Sequence, residues 1–180
     1  MHYRIAVALA TFMVLTSLTV PAASAAPQLP INSCTVGHDY GPYILLANDN
    51  QSLGIHFNGP GTQATVTDLF DTNGPSNLYF KCVSGQSIIE YVIHNNNGNC
   101  LRMRNAANGY AVMEENGCNS TDLQERFVPH GPGADGSKNI FQDDGEGQWL
   151  GVICGVQDGW KVWGVRNASG TCLNWLLEAQ

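Results

Sequence analysis

The feature that most limits the folds open to this chain is an internal threefold repeat. Tyr43 to Leu53 reads YILLANDNQSL, Tyr91 to Leu101 reads YVIHNNNGNCL, and Ile140 to Leu150 reads IFQDDGEGQWL. The offsets are 48 and 49 residues, and the blocks align with no internal gap. The first two columns are apolar: Tyr43/Tyr91/Ile140, then Ile44/Val92/Phe141. The middle is rich in Asn, Asp, Gly and Glu, and the last column is leucine each time. Two residues on stand Ile55, Met103 and Val152. This predicts a strand, a polar turn and a second strand whose alternate residues face inward. Asn, Asp and Gly suit the turn because they tolerate positive φ and bond locally to the backbone. Ala64–Phe70, Tyr110–Glu115 and Gly159–Val165 read as a third strand in each unit. A fourth is expected around Phe80, Phe127 and Trp175, aromatics offset by 47 and 48.

Three repeats of about 48 residues with four strands each make twelve strands. One unit cannot bury its apolar face alone, so the three should close around a pseudo-threefold axis. The expected fold is all-β, a β-trefoil: a six-stranded barrel capped by three hairpins, with few exposed edges. An open β-sandwich also suits short strands and turns, but does not require an in-phase threefold repeat. The trefoil domain is expected over 43–180, after a lead-in over 26–42 tied down by Cys34. Helix content should be small.

The first 25 residues read as a secretory signal peptide. Arg4 gives a short positive start, Ile5 to Leu18 is mostly apolar, Pro21 ends the run, and Ala23-Ser24-Ala25 is a small-residue cleavage site. The apolar run is short of the roughly 20 residues that span a bilayer. Cleavage after Ala25 would leave 180 − 25 = 155 residues, secreted and extracellular, with no membrane attachment. Loss of Arg4 leaves 7 Lys and Arg against 15 Asp and Glu, a net charge of 7 − 15 = −8. No basic run exists, which argues against nucleic acid and anionic membranes as partners.

Six cysteines, Cys34, Cys82, Cys100, Cys118, Cys154 and Cys172, all fall in the mature part. In an exported protein an even count implies disulfides, with 15 connectivities open. Cys100 to Cys118 and Cys154 to Cys172 are both 18 positions, so each pair could close a loop within one unit, leaving Cys34 with Cys82. No C-x-x-C occurs, so neither a zinc site nor a redox motif is expected, and no cofactor is implied.

Gly98 to Phe127, GNCLRMRNAANGYAVMEENGCNSTDLQERF, resembles one repeat of the ricin B-type β-trefoil lectins. The matching residues are Gly98, Cys100-Leu101, Asn108-Gly109, Cys118 and an ending at Gln124-Glu125-Arg126-Phe127 that is similar to Gln-x-Trp. The other two units share the hydrophobic skeleton. The resemblance implies a Cys100–Cys118 bond and a carbohydrate ligand. It also implies an aspartate directly after Cys-Leu to accept hydrogen bonds from sugar hydroxyls. That position is Gly54, Arg102 and Gly151 here, so no unit keeps the aspartate. The Gln-x-Trp ending has become Leu78-Tyr79-Phe80, Glu125-Arg126-Phe127 and Leu173-Asn174-Trp175.

The third unit holds all four tryptophans, Trp149, Trp160, Trp163 and Trp175. Trp175 and Trp149 are expected to fill the barrel. Trp160 and Trp163 are odd-spaced, so they should face opposite ways. One should point outward as a stacking platform for a sugar ring, with Asp158 and Asn167 binding hydroxyls. In the second unit Arg102, Tyr110, Glu115, Asn119 and Gln124 could converge on a shallow pocket. Arg102 could take an acidic sugar or a partner's carboxylate, or pair with Glu114 or Glu115 as a solvated strand residue. The acidic turn Asp143 to Gly147 has oxygen ligands but not calcium spacing, and reads as turn chemistry. The asparagines of HNNNGN, His94 to Asn99, likewise read as a turn rather than a site. Neither HExxH nor G-x-S-x-G accompanies His38, His56, His94 and His130, so no catalysis is expected.

The function expected is that of a secreted, non-catalytic carbohydrate-binding trefoil with a glycan or polysaccharide partner. The alternative is a secreted trefoil that binds a protein, such as a hydrolase inhibitor, through loops like His130 to Asn139.

Overall fold

The computed structural model describes residues 29–85, 87–107, 109–132, 139–143, 145, 147–166, 171–172 and 175–180. Residues 1–28, over which the signal peptide is expected, and 133–138 of the 130–139 insert lie outside these, as do Asn108 and Asn167.

Each unit supplies four strands. The first gives β1 (Asp39–Ala47), β2 (Asn50–His56), β3 (Thr65–Asp68) and β4 (Leu78–Gly85). The second gives β5 (Ile89–Asn95), β6 (Cys100–Ala106), β7 (Gly109–Glu115) and β8 (Arg126–Pro132). The third gives β9 (Asn139–Asp143), β10 (Trp149–Ile153), β11 (Trp163–Val165) and β13 (Trp175–Ala179), with a two-residue β12 (Thr171–Cys172) between the last two. The only helix among the described residues is a 3-10 turn at Leu123–Glu125; no helix there is long and apolar enough to cross a membrane.

The first and fourth strands of the units close a ring. β1 pairs with β4, β4 with β5, β5 with β8, β8 with β9, β9 with β13, and β13 with β1, all antiparallel. The second and third strands form three hairpins, β2–β3, β6–β7 and β10–β11. The hairpins meet through their third strands: Ala64 N–H donates to Val112 O, Val112 N–H to Val162 O, and Val162 N–H to Ala64 O. A six-stranded barrel with a three-hairpin cap is a β-trefoil.

The core repeats threefold. Leu53, Leu101 and Leu150 are buried, as are Ile55, Met103 and Val152, and on the facing strands Val66, Val112 and Val162. Two columns differ from the sequence alignment. Phe141 pairs across from Pro129 as Ile93 pairs with Phe80 and Leu45 with Leu177. Phe141 therefore belongs with Leu45 and Ile93, one place away from Ile44 and Val92. The reason is turn length. His94 pairs with Cys100, enclosing Asn95 to Asn99, whereas Gln142 pairs with Trp149, enclosing Asp143 to Gln148, one residue more. Alternation in a strand leaves no intermediate choice: a slip of one would turn Phe141 out of the core. The fourth-strand column is Leu78, Phe127 and Trp175 rather than Phe80, since these face Asn95, Asp143 and Ala47. Trp175 is fully buried and its indole N–H donates to Leu150 O at 3.0 Å.

Three disulfides hold the periphery: Cys34–Cys82, Cys100–Cys118 and Cys154–Cys172. The first fastens the lead-in to β4. The other two each close a loop inside one unit, giving about 3 kcal/mol apiece in the chain-entropy model.

Candidate functional site

The surroundings of the position after the buried leucine differ among the three units. In the first it is closed. A Cβ added to Gly54 would lie 2.7 Å from the Pro75 ring and 2.8 Å from Ile44 Cγ2. In the second it is filled. Arg102 forms an ion pair with Asp122 at 2.8 Å and donates to Gln124 Oε1 at 3.2 Å. Neither Glu114 nor Glu115 is its partner: Glu115 pairs with Arg104 at 2.6 Å. In the third, Gly151 stands across the hairpin from Trp163.

The expected second-unit pocket is only partly assembled. Arg102 and Gln124 touch, with Asp122 as the member that sequence reasoning missed. Asn119 stays nearby through its backbone N–H, which donates to Glu125 Oε2 at 2.6 Å. Glu125 is buried, and that burial raises its carboxyl above the ordinary range, with the Asn119 N–H acting in the opposite direction. Tyr110 lies elsewhere. Its hydroxyl accepts from Arg166 at 3.0 Å, and that guanidinium sits 5.5 Å from its ring.

The expected third-unit group separates. Trp160 precedes β11 and packs against the core. Exposed Asp158 reaches back to the first unit, accepting from Asp68 N–H at 3.1 Å. Trp163 is half-buried and lies on the opposite face from the fully buried Val162.

Trp149 is the correction. It is half-buried rather than part of the barrel core. Leu150 and Val152 point inward, so Trp149 and Gly151 must point outward. Trp149 pairs with Val165 and Trp163 with Gly151, which makes the two indoles diagonal neighbours on one outer face. Such neighbours sit roughly 7–8 Å apart, within reach of aromatic rings. On the next strand Trp163 faces Ala111, which faces Arg104. Glycine and alanine on its two sides put no tall side chain beside the indole. At the other end His130 stands 4.9 Å from the Trp149 ring, and its Nε2 bonds Gln142 Oε1 at 3.1 Å. The alternation around the invariant leucine column is the sequence signal that finds Trp149.

A separate cleft of about 310 Å³ opens between the first and second units. Phe57, Gly59, Pro60, Ser76 and Asn77 line one side, and Asn95, Asn96, Asn97, Asn99 and Glu114 the other. HNNNGN is indeed a turn: Asn95 Oδ1 accepts from the N–H of Asn97 at 2.9 Å and of Asn99 at 3.1 Å. In the third unit Asp143 Oδ1 holds Gln148 N–H at 2.6 Å from the equivalent position. The acidic turn is thus turn chemistry at Asp143; Asp144 and Glu146 lie outside the described residues. Yet the asparagine turn also walls a concavity, which its sequence does not disclose. The opposite wall comes from a loop about 40 residues earlier.

These features define a disulfide-bonded β-trefoil with one aromatic outer face and one amide-lined cleft. No family model matches the chain, and no curated protein matches it in sequence. Solved structures do. The designed threefold-symmetric protein ThreeFoil matches with a TM-score of 0.57 at 18% identity, over 77% of this chain and 98% of that one. A cytolethal distending toxin structure from Actinobacillus actinomycetemcomitans matches at 0.56 and 10% identity, over 76% of this chain and 90% of that one. A β-1,3-galactosidase matches at 0.54 and 14% identity, over 79% of this chain but 27% of its own. At such identities the likeness is one of fold.

Proposed function

We propose that this is a secreted, non-catalytic carbohydrate-binding trefoil of the ricin B type that has moved its binding face. The observation that carries the proposal is the pair of half-buried indoles, Trp149 and Trp163, on the outer face of the third hairpin. The C–H face of a pyranose stacks on an indole, and Gln142 and His130 lie at one end of that face to meet hydroxyl groups. Burial of part of each ring against the sheet fixes its orientation and lowers the entropy cost of binding. The galactosidase above, in which this fold makes up about a quarter of the chain, supports a glycan-directed role. Three disulfides support work outside the cytoplasm.

The test is retention on insoluble polysaccharides and a glycan array, using the mature oxidised protein. Trp149→Ala and Trp163→Ala should each weaken binding about tenfold, the loss of an aromatic anchor. Trp160→Ala should act through stability instead. Undiminished retention in the Trp149→Ala/Trp163→Ala double variant would sink the proposal.

A second possibility is a protein-binding trefoil, favoured by Phe70, which is 91% exposed after β3. It predicts inhibition of a secreted hydrolase that Phe70→Ala abolishes.

A further inference from the structure

The cleft between the first and second units contains an uncompensated charge. Glu114 is 2% exposed. Its Oε1 accepts from Asn99 Nδ2 at 2.7 Å and from Asn95 Nδ2 at 3.4 Å, and its Oε2 accepts from Gly59 N–H at 2.5 Å. All three donors are neutral amides. The ion pairs among the described residues join Arg102 to Asp122, Arg104 to Glu115, Arg126 to Glu90 and His94 to Asp39, and none reaches Glu114. Glu90 shows the contrast: also buried, on β5, it has its arginine at 2.9 Å. A carboxylate offers about four acceptor positions, so three amide bonds leave Glu114 room for one more donor.

The rest of the lining is amide and hydroxyl. Asn77, Asn96 and Asn97 are exposed, and their side chains make no hydrogen bond within the described residues. Each carries a donor NH₂ and an acceptor C=O, the pair of functions that a sugar hydroxyl requires. Phe57 gives the wall a small apolar patch. The volume holds about ten waters at liquid density, enough for one pyranose ring and too little for a folded partner.

We propose that this cleft binds a sugar bearing a free primary amine, a 2-amino-2-deoxyhexose unit. The asparagine amides of 77, 96 and 97 take its hydroxyls, and its ammonium donates to Glu114. A neutral ligand would leave the buried charge without a counter-ion; an acidic one would oppose it. The acidic chain, formally −7 at neutral pH, adds a long-range field of the same preference. Charge and shape together set this cleft apart from the indole face, which carries no such carboxylate among the described residues and selects by stacking.

The experiment is an NMR and calorimetric titration of the mature oxidised protein with glucosamine, N-acetylglucosamine and glucose, below the pKa of the amine. Glucosamine should bind best and shift the side-chain amide signals of Asn95 to Asn99. Asn97→Ala, a surface change, should weaken it about 5-fold, one neutral hydrogen bond. Glu114→Gln should cut glucosamine affinity about tenfold or more, as expected for a charge-assisted bond. Equal binding of the acetylated or neutral sugar overturns the proposal, as does an Asn97→Ala variant that binds normally. Trp163→Ala separates the two sites: loss of polysaccharide retention with intact glucosamine binding supports both. Loss of glucosamine binding in Trp163→Ala places the amine ligand on the indole face and overturns the cleft.

Discussion

Arg102 and Gly151 occupy the same place on two hairpins, one residue past a buried leucine in each. Around Arg102 the outer face is charged and closed on itself: Arg102 with Asp122 and Gln124, Arg104 with Glu115. Around Gly151 it is aromatic, with Trp163 across from it and Trp149 on the same strand. The inner faces of both hairpins are alike, Leu101, Met103 and Val112 in one and Leu150, Val152 and Val162 in the other. The inner residues belong to one buried core, and the backbones at Ala64, Val112 and Val162 bond to one another around the axis, so a change on the inner side disturbs packing shared by all three units. The outer side of these two hairpins is less constrained, since Arg102 and Trp163 are both only half-buried. A binding face can therefore be gained or lost there without disturbing the fold.

The largest expected effect tests that division within one unit. Trp175→Ala should cost about 3–5 kcal/mol, as for other fully buried aromatics, read from urea midpoints. Trp163→Ala should cost under about 1 kcal/mol while losing polysaccharide retention. Equal losses for the two would erase the distinction between skeleton and surface. Next in size, Cys100→Ala/Cys118→Ala should cost about 3 kcal/mol and leave retention on the third hairpin unaltered. Smaller again, Arg102→Asp introduces the acidic residue that ricin B-type repeats carry at the matching place but sets it beside Asp122. It should cost about 1–2 kcal/mol, more than Arg102→Ala. The difference between the two should shrink in high salt, because the repulsion is screened. An increase in galactose binding by Arg102→Asp would show that the second hairpin needs only that one residue to hold a galactose.

The repeat made the fold legible before any coordinates. Leucine at 53, 101 and 150, with Ile55, Met103 and Val152 two places on, states the inward period of three hairpins. Two equal spacings offered the disulfide pairing that the structure shows. What the repeat concealed was register. Gap-free alignment put Phe141 with Val92, because one extra residue in the 143–148 turn leaves no mark in composition. The site was less legible for a related reason. Trp149 sits in a column with Ser52 and Cys100, and a tryptophan beside an invariant leucine reads as core until strand parity is followed. The asparagine cleft was beyond reach: its two walls belong to different units, and only barrel closure brings the 57–60 loop against the 95–99 turn. Arg102 was visible as a departure from the ricin B-type pattern that the repeat resembles, but its partner Asp122 required the 3-10 turn that follows it.

The smallest effect concerns Glu125, which marks how the second unit differs from the first beneath Arg102. Its carboxyl lies above its ordinary range because burial disfavours the charged form, with neighbouring Asp122 adding to this and the Asn119 N–H opposing it. The stability tied to a raised carboxyl is fully present below the unfolded-state value and is lost as pH rises through the folded-state value. Glu125→Gln holds the side chain neutral at every pH and keeps an oxygen for the Asn119 N–H. Its urea midpoint should therefore fall less between pH 4 and pH 7 than that of the parent chain. The first unit offers the control: Ser76 Oγ, which accepts from Phe57 N–H at 2.9 Å, does not ionise, so Ser76→Ala should shift the midpoint equally at both pH values. If Glu125→Gln also shifts it equally, Glu125 is as ordinary an acceptor as Ser76.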